Sequence, residues 1–259
     1  MQKLFLDYTP ENEIILDGEE ARHIAKSLRM KVGDMLTVTD GNGNDFGCQI
    51  ETVTKDTVTL KVCYRQANNS EPTCKVTIYQ GVPKSTKLED IVQKCVELGV
   101  YSIVPTLTQR CVSRPDQKSA AKKNQRYQKI ALEAAQQSGR GIIPEIVPMK
   151  TLAQAITEDE SDVKIVFYEG GGEPIKSIVS PDCKSVSVYI GPEGGFEKNE
   201  VEQIVTAGGD ARQAHFAHAD RTRCGTHGNY AFDKQSRIIK YNRQSKRQVI
   251  MTCRFCYKL

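Results

Sequence analysis

The sequence predicts an α/β chain in two parts: a small β-rich unit, then a mostly parallel sheet flanked by helices. Three observations predict it. Valine and threonine alternate along residues 36–39 and 57–62, which is the period of half-buried strands. From residue 75 onward, apolar strand-like runs alternate with helix-like stripes, the pattern of a parallel sheet. Between the two parts, Ala-Asn-Asn-Ser-Glu-Pro-Thr-Cys at 67–74 is polar and holds a proline, as a linker would.

In the first part, residues 1–66, Asp40-Gly41-Asn42-Gly43-Asn44 is a strong turn between strands. One short helix is expected from Glu19 to Leu28, with Ile24 and Leu28 four apart and Arg22, His23, Lys26 and Arg29 beside them. Lys31-Val32-Gly33-Asp34 turns the chain into the next strand. In the second part, Val76–Tyr79 is a strand. Leu88–Leu98 is a helix carrying Leu88, Ile91, Val92, Cys95, Val96 and Leu98, closed by Gly99. Ser102–Pro105 is the next strand. A long helix follows over about Lys118–Ser138. Ile130, Ala131, Ala134 and Ala135 form its expected buried face, Lys122, Arg126 and Lys129 its other face, and Gly139 its end. Lys164–Phe167 and Val186–Ile190 are further strands, and Glu197–Thr206 is a helix with Val201, Ile204 and Val205 inward.

Composition narrows the class. The chain has 259 residues, 39% hydrophobic and 26% charged, which excludes a collagen-like, coiled-coil or wholly disordered protein. No apolar run approaches the ~18 residues of a membrane span. Met1–Asp7 lacks the apolar stretch of a signal peptide, so a cytoplasmic protein is expected. Nine scattered cysteines, an odd number, suit reduced thiols. The net charge of +4 is unevenly placed. Residues 1–210 hold 25 Lys+Arg against 30 Asp+Glu, a net of −5. Residues 211–259 hold 11 Lys+Arg against Asp220 and Asp233, a net of +9. The positive total therefore says nothing about the body of the chain.

The sharpest local feature is Ile190-Gly191-Pro192-Glu193-Gly194-Gly195-Phe196, after a strand and before a helix. Ligands bind beyond the carboxyl ends of parallel strands, and glycines there let the backbone approach a ligand. The run lacks the spacing of a dinucleotide fold and the Lys-Ser/Thr of a phosphate loop; a plain glycine turn is the competing reading. A second cluster, Tyr168-Glu169-Gly170-Gly171-Gly172, follows the preceding strand. Two glycine loops on one sheet would form two walls of one pocket. His23 is the one histidine of the body and sits in a basic helix, so nucleophilic catalysis is poorly supported. Cys224, His227, Cys253 and Cys256 can be written as a zinc-like set. Their surroundings show no domain pattern, and no metal is expected. Positive side chains cluster at Arg22, Lys26 and Arg29, at Lys84 and Lys87, at Arg110 and Arg114, and from Lys118 through Lys129 to Arg140. A local basic face is what nucleic-acid binding needs; a solvated helix face is the common alternative for any one cluster.

The chain resembles a known family along most of its length. Gln80-Gly81-Val82-Pro83-Lys84, Ile91 to Val100 and Pro105 carry the resemblance, with Arg110, Arg126, Glu133-Ala134-Ala135-Gln136-Gln137-Ser138-Gly139-Arg140 and Pro144. Ile190 to Phe196 and Glu200 complete it. Together they resemble the 16S ribosomal RNA uridine N3-methyltransferases (RsmE type) of the SPOUT, or α/β-knot, superfamily. His23 to Met30 with Gly33-Asp34 resembles the family's PUA-like barrel. The resemblance implies a PUA-like RNA-binding β-barrel at 1–68, a SPOUT methyltransferase domain at 74–211 with a trefoil knot, and a homodimer. It implies S-adenosyl-L-methionine held by Phe167, Tyr168, Glu169 and Gly170 on one side and by Gly191, Pro192, Glu193, Gly194 and Gly195 on the other. The expected reaction is methyl transfer to N3 of a uridine in small-subunit ribosomal RNA, free or in the 30S subunit. Arg110 and Arg140 are expected to stabilise charge or contact phosphate. Arg22, Arg29, Lys84 and Arg126 are expected to bind RNA.

Residues 212–259 depart from the family. Where it has a segment like Leu-Gly-x-Arg-Ile-Leu-Arg-x-Glu-Thr-Ala, this chain has His215 to Gly228, with Arg223 and Thr226 matching and the Leu-Gly and Glu absent. Codons for Ala219-Asp220-Arg221 read one base later can encode Arg-Ile, so a shifted reading frame accounts for the tail. A genuine, divergent basic tail is the other reading. The corresponding second reading of function is a non-catalytic RNA-binding relic with an incomplete cofactor knot.

Overall fold

The structure, a computed structural model, describes residues 3–168, 179–180 and 182–208, and the backbone of 214–218, 230–232 and 238–240. Its contacts fall into two compact units, Met1–Glu71 with Ala135–Ile143, and Pro72–Ala134 with Pro144–Leu259.

The first unit holds strands β1 (Lys3–Phe5), β2 (Glu13–Asp17), β3 (Met35–Thr39), β4 (Asn44–Val53) and β5 (Thr57–Ala67), in the order β1-β3-β4-β5-β2. β1 runs parallel to β3; the other pairs are antiparallel. Alternating residues such as Ile14, Leu16, Leu36, Val38, Val58 and Leu60 enter one core, as their period of two requires. The expected turn at 40–44 forms because Asp40 organises it. Its carboxylate accepts the N–H groups of Asn42 and Asn44 and the Asn44 side-chain amide. The expected helix forms at the expected length, over Gly18–Ser27, but in two styles. Helix α1 (Gly18–Arg22) continues as a π-helical turn, His23–Ser27, in which Leu28 N–H reaches the His23 carbonyl. The wider turn keeps Ala21 and Ile24 in the core, and Arg29 ends it with φ 53°.

The division between the two units falls after Glu71, inside the expected linker 67–74, and residues 68–71 are held by side chains of the first unit. Asn68 donates to Asp45, which also holds Lys3 at 2.7 Å. Glu71 accepts from the Arg140 guanidinium and from Gly141 N–H. A polar chain from Lys3 to Arg140 thus binds the stretch after β5 to the segment 139–142.

The second unit is built on a parallel sheet of β6 (Lys75–Gly81), β7 (Ser102–Leu107), β8 (Glu145–Ile146), β9 (Lys150–Thr151), β10 (Val163–Tyr168), β11 (Ser185–Ile190) and β12 (Ala214–His218). The order is β12-β10-β11-β6-β7-β8, with β9 also on β7. β6 and β11 lie side by side from Lys75↔Ser185 to Gln80↔Ile190. Helix α2 (Lys87–Glu97) buries Leu88, Val92, Cys95 and Val96. Helix α3 (Gln117–Ser138) starts on Asp116, whose carboxylate accepts Ser119 N–H at 2.7 Å. Its buried face is Tyr127, Ala131, Ala134 and Ala135. Ile130, expected there, is only half-buried because Tyr127 takes the inward position one turn earlier. Helix α4 (Leu152–Thr157) has a capping box from Thr151 and Gln154, and helix α5 (Lys198–Thr206) buries Val201 and Ile204. Both pack into a cluster with Tyr79, Val104, Val166 and Tyr189. Among the described residues no helix is long and apolar enough to cross a membrane.

Candidate active site

β6 leads through α2 to β7 on one side, whereas β11 leads through α5 to β12 on the other, next to β10. Neighbouring strands whose successors diverge leave a crevice at their carboxyl ends. The loops there are Val82–Thr86 after β6, Thr108–Asp116 after β7 and Gly191–Glu197 after β11.

The glycine loop is folded tightly on itself and on β6. A Cβ on Gly191 would lie 2.8 Å from the Gly195 carbonyl carbon, and one on Gly81 2.6 Å from the Pro192 nitrogen. No side chain fits at either position. Gly195 N–H closes a turn on the Pro192 carbonyl at 2.9 Å with φ +70°. The buried Gln80 amide donates to the carbonyls of Gly81 and Gly191. At Gly195 the space a Cβ would occupy is open, with no atom within 4 Å. A cradle lined by backbone is therefore preserved by glycine.

Side chains pin this loop from two directions. Glu193 accepts Lys84 N–H on both oxygens, at 3.2 and 3.3 Å, and pairs with the Lys87 ammonium at 3.0 Å. Burial pushes the Glu193 carboxyl up, but its own backbone N–H, Lys87 and Lys84 outweigh that and hold it below the ordinary carboxylate value. From the β7 loop, Arg110 donates through Nε to Glu197 at 2.7 Å and through Nη1 to the Gly194 carbonyl at 2.6 Å. That bond from Arg110 holds the Glu197 carboxyl low as well. Glu200, 3% exposed, accepts Gln109 N–H at 2.7 Å and Glu197 N–H at 2.9 Å.

The structure thus brings together Arg110, Lys84, Gly191, Pro192, Glu193, Gly194 and Gly195. Phe167 and Tyr168 close β10, with Phe167 opposite Ile190. Glu169 and Gly170 lie outside the described residues, as do Cys224, His227, Cys253, Cys256 and residues 219–221, on which the shifted-frame reading falls. Arg126 is exposed and paired with Glu89 at 2.7 Å. Arg22 and Arg29 are exposed in the first unit. Arg140 also belongs to that unit, 3% exposed, its guanidinium on Glu71. Within that unit it forms an ion pair with the Glu71 carboxylate. Glu197 and Glu200 are the site residues that sequence reasoning passed over in role; their Glu-x-x-Glu spacing at a helix start was the available signal. Among the described residues no group of three His, Cys, Asp or Glu is placed to hold a metal.

Comparison with known proteins gives this architecture its class. Residues 69–212 match the RNA methyltransferase domain, and residues 16–63 the RNA methyltransferase PUA domain. This is the two-part plan of the PUA-bearing RNA methyltransferases. The ribosomal RNA small subunit methyltransferase E of Bacillus subtilis is 34% identical over 81% of this chain and 87% of its own length. That of Aquifex aeolicus is 30% identical over 73% of this chain and 80% of its own. A crystal structure of ribosomal RNA small subunit methyltransferase E from Neisseria gonorrhoeae, bound to S-adenosyl methionine, shares the fold. Its TM-score is 0.76 at 23% identity, over 85% of this chain and 90% of that one. A methyltransferase from Legionella pneumophila with bound cofactor SAM gives 0.74 at 28%, over 85% and 89%. The chain belongs to the ribosomal RNA small subunit methyltransferase E family.

Proposed function

We propose that the chain methylates N3 of a uridine in 16S ribosomal RNA with S-adenosyl-L-methionine. The observation that carries this is the glycine-lined loop pinned at the β6/β11 crevice, in a family whose relatives are small-subunit rRNA methyltransferases. The residues fit the cofactor: Gly191 lets the loop fold on itself, Gly195 leaves the space beside its backbone open, and Phe167 and Tyr168 end the neighbouring strand. When bound, S-adenosylmethionine would supply a sulfonium methyl for in-line displacement, leaving as S-adenosylhomocysteine while uridine N3 gives up its proton to solvent. The protein's contribution is alignment, because a rigid loop fixes the approach of the two reactants. Glu193 serves this by tying the loop to the β6 connection. Lys84, Arg22, Arg29 and Arg126 are the proposed RNA contacts, acting on phosphate. The working unit in this reading is a cytoplasmic homodimer with a C-terminal knot, acting on the rRNA or the 30S subunit. N3 and uridine rest on the family resemblance.

Primer extension across 16S rRNA, in a strain carrying only this gene, tests the proposal. N3-methyluridine blocks reverse transcription, so a stop at one uridine is expected. The missing Leu-Gly and Glu after residue 211 favour the second reading, an RNA-binding relic. RNA binding with no stop would establish that reading instead.

A further inference from the structure

Arg110 was expected to act on the substrate as a positive charge. Its surroundings point elsewhere. The guanidinium reaches from the β7 loop to the Gly194 carbonyl at 2.6 Å and the Glu197 carboxylate at 2.7 Å. The stem of the same side chain packs beside Gly194, whose added Cβ would lie 3.4 Å from Arg110 Cβ and Cδ. Next to it, Gln109 N–H is held by the buried Glu200, which also holds Glu197 N–H. Two consecutive residues of the β7 loop thus grip both the glycine loop and the first turn of α5. The grip has a shape that charge alone does not supply, because a guanidinium offers a planar fork of donors and an ammonium offers a point charge.

We propose that Arg110 is a positioning residue: its fork, together with the Glu200 bridge, sets the position of the loop Gly191–Phe196. It works through the loop backbone and does not touch RNA or the reacting uridine. The inference deepens the cofactor reading of that loop and rests on it for its purpose, though not for its geometry.

The test uses full-length Arg110→Lys and Glu197→Gln, with hydrogen exchange followed by mass spectrometry on the protein without cofactor. Both variants should speed exchange of the loop amides at 191 and 193–196 by up to about fivefold, the loss expected for an exposed ion pair. Amides of β6 and β11 should exchange as in the unmodified chain, which separates a local effect from unfolding. Binding of a 16S rRNA fragment should be unchanged in both variants. Glu197→Gln is the decisive arm because it removes no positive charge. Unchanged loop exchange in both variants would overturn the proposal. So would an Arg110→Lys variant that loses RNA affinity while Glu197→Gln leaves the loop protected. Adding S-adenosylmethionine to the unmodified chain distinguishes the underlying reading. If it fails to slow exchange at 191–196 while both variants still loosen the loop, the cofactor reading fails and the positioning role stands.

Discussion

Tyr189 donates its hydroxyl hydrogen to Asp159 at 2.8 Å inside the sheet's buried face, and Ser187 donates to the other oxygen at 2.6 Å. Tyr79 stacks on Tyr189 with ring centroids 4.5 Å apart. Burial and the Asp159 charge push the Tyr189 phenol far up, so it remains a donor across the working pH range. Asp159→Ala removes the acceptor of two buried hydroxyls, of which Ser187 retains Ser161. The expected cost is roughly 3 kcal/mol in urea denaturation. Tyr189→Phe should cost less, and the double variant less than the sum of the two.

Arg140→Ala should destabilise the first unit by about 3–5 kcal/mol, because it strands the Glu71 carboxylate. Glu71→Ala should do the same from the other side. At a temperature where both variants remain folded by circular dichroism, methylation should persist in both. Activity lost in Arg140→Ala alone, with folding intact, would return this arginine to the chemistry.

The two loop glycines should respond differently. Gly191→Ala drives a Cβ into the Gly195 backbone, so the loop must move, and S-adenosylmethionine binding by calorimetry should weaken about tenfold or more. Gly195→Ala has open space but keeps φ +70°, a strain of roughly 1 kcal/mol. It should lower the melting temperature slightly and affect binding less.

Acid should release the Glu193 clip. Its carboxyl is lower in the folded protein than its ordinary 4.5, so its stabilisation is complete above that value. The stabilisation is lost as pH falls through the folded value. Denaturation midpoints should therefore drop more steeply in acid for the unmodified chain than for Glu193→Gln. Parallel curves would show that the clip adds nothing.

The strands at the sheet's centre and the glycine loop were legible in the sequence because both are local patterns. β6 and β11 each read as short apolar runs, and three glycines in five residues announce a turn wherever they fall. The two-residue strands β8 and β9 carry no period to read, and α4 is too short for a stripe. The pairing of Lys87 with Glu193, of Arg110 with Glu197 and of Gln109 with Glu200 joins residues far apart in the chain, which no local pattern encodes. The same gap explains Arg140: its charge was visible, whereas Glu71, which neutralises it, is identifiable only once the chain has folded.

The neighbourhood of β6 has a consequence for synthesis order. Ile78 pairs with Ile103 early, but its other edge waits for Val188, some 110 residues later on the ribosome. Until then a nascent chain carries an open parallel edge, the kind of template on which chains aggregate. The edge is covered once Ile190 has emerged and β11 has paired with β6. A fragment stopped short of β11 should therefore be the aggregating species, whereas one stopped after Thr206 has both edges of β6 paired.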